Sequence, residues 1–490
     1  MNKPIRVLAI GCLALFVALL LNANYLQFVE ADSLNAQNGN RRVMDEEFSR
    51  DRGAILVGGK AIAESVPSGD EFEYQRRYPE GRLWANLTGY YSYIYGRSAL
   101  ERSQNGILSG SDNRLFVNRV VDLIGSRAPQ GGSVSLTLDR AAQEAATEGL
   151  ERLGDDAKGA VVALDPETGA VLAMAGQPTY DPNRLASHDL PATTEAWERL
   201  QANENDPMIN RATQQILPPG STFKLVTAAA AMTNLNLNPD SEVQAGSSLS
   251  FPGISYRLVN EGGGNCGGDR ISLERALAVS CNVTFGSLAG QVGQEALAEQ
   301  ARKFGFGQDY LEGLPANASQ FTSSPGTDLE APQLAQSGIG QYEVSATPLQ
   351  MAMVTSAIAN GGDLMRPYVV STVRAPDLSV LDSTQPDRIG EAVSSDVAAG
   401  LQQMMVETVR DGTAGSAAIS GATVGGKTGT AQSTSDRPPY AWFTSFATSG
   451  DRQVAVAVVV ESTDTARPEI SGGRLAGPIA RSVMQAVLDR

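Results

Sequence analysis

Six lysines stand in a chain that otherwise carries its positive charge on arginine: Lys3, Lys60, Lys158, Lys224, Lys303 and Lys427, among 38 basic residues. The distinction is chemical, because a guanidinium keeps its proton in a protein whereas a buried ammonium can lose it and serve as a base. Lys224 follows Ser221 in Leu217-Pro218-Pro219-Gly220-Ser221-Thr222-Phe223-Lys224, where Pro-Pro-Gly ends one segment and an alanine-rich stretch begins. That places Ser221 at a helix start. Residues three apart share a helix face, so the Ser221 hydroxyl and the Lys224 amine are expected to meet. The unpaired N–H groups of the first turn favour negative charge developing on an acyl oxygen. A nucleophile, its base and part of an oxyanion hole then fit in one turn. Ser-x-x-Lys alone is a common pattern, and a capping serine beside a solvated lysine has the same sequence.

Lys427 lies in Val424-Gly425-Gly426-Lys427-Thr428-Gly429-Thr430-Ala431, a strand-like run whose small residues let a substrate backbone approach closely. An edge strand with a glycine bulge reads the same way. Ser280 and Asn282, in Ala276–Phe285, read as polar positions of a helix that satisfy the backbone. The only histidine, His188, sits in a polar loop and is expected at the surface. One histidine rules out most metal cages and argues against a Ser-His-Asp triad, so no metal or cofactor is expected and lysine is the candidate base.

The elements that hold these residues belong to a chain of 490 residues, 42% apolar and 19% charged, which is more than one core usually organises. A net charge of -16 argues against nucleic acid or an anionic lipid surface as the main partner. Lys3 and Arg6 precede an apolar run, Val7 to Leu21, that continues through Tyr25, Leu26 and Phe28 until Glu30 and Asp32 close it. About 20 such residues span a bilayer, and basic residues at the start place the N-terminus in the cytoplasm. A cleaved signal peptide is the alternative, although no small-x-small site follows Leu21 cleanly. Either way the remainder is exported. Cys12 lies in the anchor, which leaves Cys266 and Cys281 outside. These two can pair, stabilising the fold by about 3 kcal/mol, or stand as unrelated reduced thiols.

Arg52 to Lys60 reads as a strand entering a glycine turn, and Tyr90 to Tyr95 as aromatic packing of a small β-containing unit. The turn cluster Pro129-Gln130-Gly131-Gly132, after an apolar helical stretch, marks a boundary. Beyond it come a strand, Val134 to Leu138, and a helix capped by Asp139 and running through Leu153. Lys158 to Met174 forms a hairpin around Pro166-Glu167-Thr168-Gly169. Tyr440 to Phe446 and Gln453 to Glu461 are strands, and Leu475 to Leu488 is a closing helix interrupted by Gly477-Pro478. Strands at both ends with helices between them require the ends to meet in one sheet, an α+β domain with a helical subdomain. The expected division is an anchor over 1–29, a non-catalytic module over 30–132 and a catalytic domain over 133–490.

In order, Ser-x-x-Lys, Ser-x-Asn and Lys-Thr-Gly resemble the motif set of the penicillin-binding and serine β-lactamase family. The likeness extends to Lys158–Asn183, Asn210-Arg211-Ala212, Gly338-Ile339-Gly340-Gln341, Thr347-Pro348-Leu349-Gln350, Asn360-Gly361-Gly362, Ala441-Trp442-Phe443 and Gly472-Gly473. With one anchor, a short module and no room for a glycosyltransferase domain before residue 158, the chain looks like a class B enzyme. The resemblance implies a transpeptidase domain with an antiparallel sheet flanked by helices. It implies that Ser221 attacks the penultimate D-alanine of a stem pentapeptide (D-Ala-D-Ala), that Lys224 takes its proton, that Ser280 relays protons and that Asn282 holds the substrate amide and Lys224. Lys427 would keep positive potential at the site. Thr428, Gly429 and Thr430 would bind substrate, with the N–H groups of Ser221 and Thr430 as the oxyanion hole. Also implied are acylation by β-lactams, residence in the inner membrane, and contacts with a polytopic glycosyltransferase and with division or elongation proteins. A D,D-carboxypeptidase or β-lactamase, and a non-catalytic β-lactam sensor or scaffold, are the other readings. Because Cys281 is the middle residue of the second motif, a bridge to Cys266 would tie the loop Glu261 to Asp269 to the catalytic edge and rigidify or redox-tune it.

Overall fold

The computed structural model describes residues 3–30, 34, 45, 47–115, 130–154, 157–323, 326–431, 438–463 and 465–489. Asp32, the apolar stretch before Pro129 and Pro129 itself lie outside the described residues.

Strand Lys158–Leu164 is apolar without a break because both its faces are covered. Side chains alternate across a strand, so Val161 and Ala163 enter one hydrophobic cluster with helices Arg140–Glu151 and Gly477–Leu488. Ala160, Val162 and Leu164 enter the other, larger cluster with helix Pro348–Ala359. The sheet has five strands in the order Thr423–Ala431, Tyr440–Ser449, Arg452–Ser462, Lys158–Leu164, Val171–Gln177, all antiparallel. Segments about 300 residues apart thus meet where Ser462 pairs with Lys158, as strands at both ends of an α+β unit require. Thr423–Ala431 is the sheet's edge, which leaves one side of its backbone open toward the helical subdomain. Asp139 caps the helix after it by accepting from the Ala142 N–H. Gly477-Pro478 starts the closing helix instead of interrupting it, as proline at a first turn permits.

A second sheet of six strands runs Val380–Ser383, Val370–Arg374, Ser133–Leu136, Ile55–Val57, Lys60–Pro67, Tyr74–Arg77. Ser133–Leu136 lies in its interior, parallel to Ile55–Val57 and antiparallel to Val370–Arg374. Beside it, the Arg52 and Arg76 guanidiniums each donate to Glu101 at 2.7 Å in a fully buried cluster. Burial pushes the Glu101 carboxyl up, but the two cations outweigh it and hold the group below its usual range.

His188 is not a plain surface residue. Its side chain is 10% exposed, Nδ1 lies 2.5 Å from Asp70 Oδ2, and the ring packs 4.6 Å from that of Phe72. It pins the loop before helix Leu190–Gln201 to the N-terminal part of the chain. The helix Lys3–Phe28 is exposed throughout its described side chains, with a mean hydropathy of 2.5 over its most apolar 18 residues. At 1.5 Å per residue its length is about 39 Å, enough to cross a hydrocarbon layer of about 30 Å.

Candidate active site

Ser221 sits on a 3-10 turn, Gly220–Phe223, that runs directly into helix Lys224–Leu235. The turn is held from two sides. Gly220 donates its N–H to the Gly340 carbonyl at 2.9 Å, and a Cβ on Gly220 would lie 3.0 Å from that of Ala431 on the edge strand. Gly340 adopts φ +72°, and a Cβ there would fall 2.2 Å from the Gly220 oxygen. Glycine is therefore required at 340 on both conformational and steric grounds.

Lys224 is fully buried, and its Nζ donates to the Ser280 carbonyl at 2.7 Å, to Asn282 Oδ1 at 2.7 Å and to Ser280 Oγ at 3.2 Å. It makes no hydrogen bond to Ser221 Oγ, contrary to the pairing expected from i, i+3 spacing. A desolvated ammonium has three donors to satisfy, and the Ser280 carbonyl, Asn282 Oδ1 and the Ser280 hydroxyl take all three. Ser280 and Asn282 are likewise not neighbours within one helix. Helix Leu273–Ala278 ends before them, Asn282 begins helix Asn282–Val292, and Ser280 in between has φ +58°. A left-handed serine costs on the order of 1–3 kcal/mol, and here the break turns both oxygens of Ser280 onto Lys224. The Asn282 amide completes its bonding by donating to the Val259 carbonyl at 3.0 Å.

Lys427, at the middle of the nine-residue edge strand, is also fully buried and donates to Ser280 Oγ at 2.9 Å and to the Thr428 carbonyl at 2.9 Å. One hydroxyl thus lies between two lysine nitrogens. Burial drives both amines down: Lys224 well below its ordinary value, with the neighbouring Lys427 charge lowering it further, and Lys427 to about 7. Glu261 opposes the shift in both. The nearby Lys427 charge disfavours a second charge on Lys224, so the pair favours a neutral Lys224.

Ser221, Ser280, Thr428 and Thr430 face a cavity of about 390 Å³, whose wall is completed by Thr413, Val279, Asn260, Glu261, Gly264 and Cys266. Thr413 and Thr428 share a hydrogen bond between hydroxyls, 2.7 Å long. Gly429 does not face the cavity; a Cβ there would lie 3.0 Å from both the Pro219 oxygen and Trp442 Cβ, so its smallness lets the nucleophile turn sit on the strand. Cys266 and Cys281 are joined by a disulfide that fastens the loop to the Ser280–Asn282 break. Three contributors carried no motif: Thr413, Asn260 and Glu261. Only the last had a signal, as the single carboxylate at the head of a glycine-rich loop tied to the motif by cysteine.

Residues 159–485 match the penicillin binding protein transpeptidase domain and residues 52–134 the penicillin binding protein A dimerisation domain. The peptidoglycan D,D-transpeptidase PbpA of Mycolicibacterium smegmatis is 41% identical, covering 100% of this chain and 99% of its own, and that of Mycobacterium tuberculosis 40% with the same coverage. Among solved structures, penicillin-binding protein A from M. tuberculosis in its ceftriaxone acyl-enzyme complex superposes with a TM-score of 0.85 at 39% identity, over 91% of this chain and 100% of that one. The D,D-transpeptidase domain of a peptidoglycan glycosyltransferase from Eggerthella lenta gives 0.76 at 30% identity, over 90% and 99%.

Proposed function

Since the chain belongs to the class B penicillin-binding transpeptidase family, we propose that it cross-links peptidoglycan stem peptides through an ester on Ser221 and is acylated there by β-lactams. The observation that carries this reading is the run of Lys224, Ser280 Oγ and Lys427 beside the nucleophile turn. A neutral Lys224 keeps two N–H donors, which suit the Ser280 carbonyl and Asn282 Oδ1. The longest of its three contacts, to Ser280 Oγ, is the one it can release, and the lone pair is then available for the Ser221 proton. Attack forms the Oγ–C bond and breaks the C–N bond to the terminal D-alanine, whose nitrogen receives its proton through the Ser280 hydroxyl. The N–H groups of Ser221 and Thr430 support the oxyanion, and Thr428 and Thr430, backed by Lys427, hold the substrate carboxylate. An amine of a second stem then attacks the ester, forming the cross-link and restoring the Ser221 hydroxyl. In this scheme residues 1–29 anchor the chain with the N-terminus cytoplasmic, 30–132 form the pedestal and 133–490 carry catalysis. The anchor and pedestal are the proposed contacts for a polytopic glycosyltransferase and for growth or division proteins.

A fluorescent penicillin followed by peptide mapping tests the central claim: the label is expected on the peptide containing Ser221, and D-alanine release is expected to yield a cross-linked product when an amine acceptor is added. A label mapped elsewhere refutes the nucleophile, while release without transfer in the presence of acceptor refutes the transpeptidase in favour of a carboxypeptidase.

The acylation rate should also follow a bell-shaped pH profile. The base must be neutral, so the rate climbs as pH passes the depressed Lys224 value. Positive charge on Lys427 must persist, so it falls as pH passes about 7, where Lys427 titrates. The two limbs belong to the coupled pair, not to either residue alone. A profile flat from about pH 5 to 9 would contradict the paired-lysine site.

A further inference from the structure

Among the described residues the cavity wall holds one acidic side chain, and the donor half of the reaction gives it no task. Glu261 faces the cavity, is exposed to it, and makes no hydrogen bond or ion pair among the described residues. The loop that carries it is nevertheless held. The preceding Asn260 is buried and clamps the loop at three points, donating to the Gly246 and Gly264 carbonyls at 2.7 Å each and accepting from the Val283 N–H at 3.0 Å. Val283 follows Asn282 directly. A few residues later the Cys266–Cys281 disulfide fastens the same loop between Ser280 and Asn282. The loop bearing the carboxylate is thus tied at both ends to the segment that holds Lys224, and its charge reaches both buried lysines.

Resting on the transpeptidase reading above, we infer that Glu261 is a specificity-determining residue that binds the ammonium group of the acyl acceptor. The donor brings a carboxylate, for which a carboxylate in the wall is repulsive. The acceptor brings a primary amine, which is protonated in neutral water, and a carboxylate in the cavity wall is the complementary group. Binding there gathers the amine at the ester in preference to water. The bound ammonium sheds one proton to solvent. Its nitrogen then attacks the ester carbonyl, the C–N bond forms, the C–Oγ bond to Ser221 breaks, and the second nitrogen proton passes through Lys224 to Ser221 Oγ.

The test uses the full chain with a thioester donor peptide and D-alanine as the amine acceptor, measuring how the acyl-enzyme divides between transfer and hydrolysis. Glu261→Gln is expected to raise the acceptor KM about tenfold or more and to shift the ratio toward hydrolysis by a similar factor. With methanol, an acceptor of no charge, the same substitution is expected to leave the ratio within about twofold of the parent, a contrast that loosening of the loop would not produce. A ratio with D-alanine within about twofold of the parent overturns the inference. So does an equal loss with methanol, or a folded variant that loses penicillin acylation as severely as transfer, since the carboxylate would then act on the lysines. If Glu261→Gln does not fold, Glu261→Asp decides by the same ratio: retention of the preference for D-alanine supports the assignment and its loss with methanol transfer intact also does, by distance, whereas parallel loss of both refutes it. Should the parent itself hydrolyse without transferring to any amine, the transpeptidase reading fails and not the role of Glu261 within it.

Discussion

Lys224→Met should slow acylation of Ser221 by a fluorescent penicillin by about 10²–10⁴-fold, the range over which a positioned general base acts. The methionine occupies a similar volume without a lone pair able to take the proton. Among the described residues no other neutral base lines the cavity, and the lone histidine is held against Asp70 away from it. Ser221→Ala supplies the zero of the scale, because labelling should vanish with the nucleophile. Folding can be separated from chemistry by comparing melting curves of the two variants, since Ser221→Ala leaves the lysine contacts in place. Acylation of Lys224→Met at the parental rate would remove lysine as the base.

The second large effect is expected from a residue that touches no substrate. Gly340→Ala places a methyl 2.2 Å from the Gly220 carbonyl oxygen and asks alanine to adopt φ +72°. The Gly220 peptide cannot stay where it is, and the next residue is Ser221. A displacement of about 1 Å at a reacting atom costs about 10²-fold in rate, so acylation should fall by at least that factor, accompanied by roughly 1–3 kcal/mol of lost stability. The control is Gly361→Ala. Its φ is +64°, but a Cβ there has open space around it, so it should show the backbone cost without the loss of rate. Equal effects from the two would mean that contact with the nucleophile turn is immaterial.

The central sheet and the residues proposed for catalysis were readable from the sequence because both depend on local pattern. Lys158–Leu164 and Arg452–Ser462 are apolar without interruption, and lysine is conspicuous where arginine is the habitual cation. The wiring was less readable. Spacing suggested that Lys224 faces Ser221, whereas its bonds run to Ser280 and Asn282, more than 50 residues away, where all three donors of the buried ammonium find acceptors. Ala276 to Phe285 looks helical residue by residue, and nothing in its composition announces that Ser280 will turn left-handed. That conformation pays off only in the company of Lys224 and Lys427. Thr413 and Asn260 had no pattern to betray them, since each matters through one tertiary hydrogen-bond partner or clamp.

The six-stranded sheet bears on how the molecule can be divided. Ser133–Leu136 is bordered by Ile55–Val57 on one side and Val370–Arg374 on the other, and Gly131 and Gly132 donate to the Asp51 and Ile107 carbonyls just before it. A fragment begun at residue 133 would keep the strand and lose its parallel neighbour, leaving a row of bare N–H and C=O groups ready to pair with another copy. Such truncations are liable to stick to one another, so insolubility of a fragment would report a torn seam, not a failed enzyme. The same seam joins the proposed pedestal to the strand Val370–Arg374 through backbone hydrogen bonds on both sides of Ser133–Leu136, where a linker between separate units would join them by covalent chain alone.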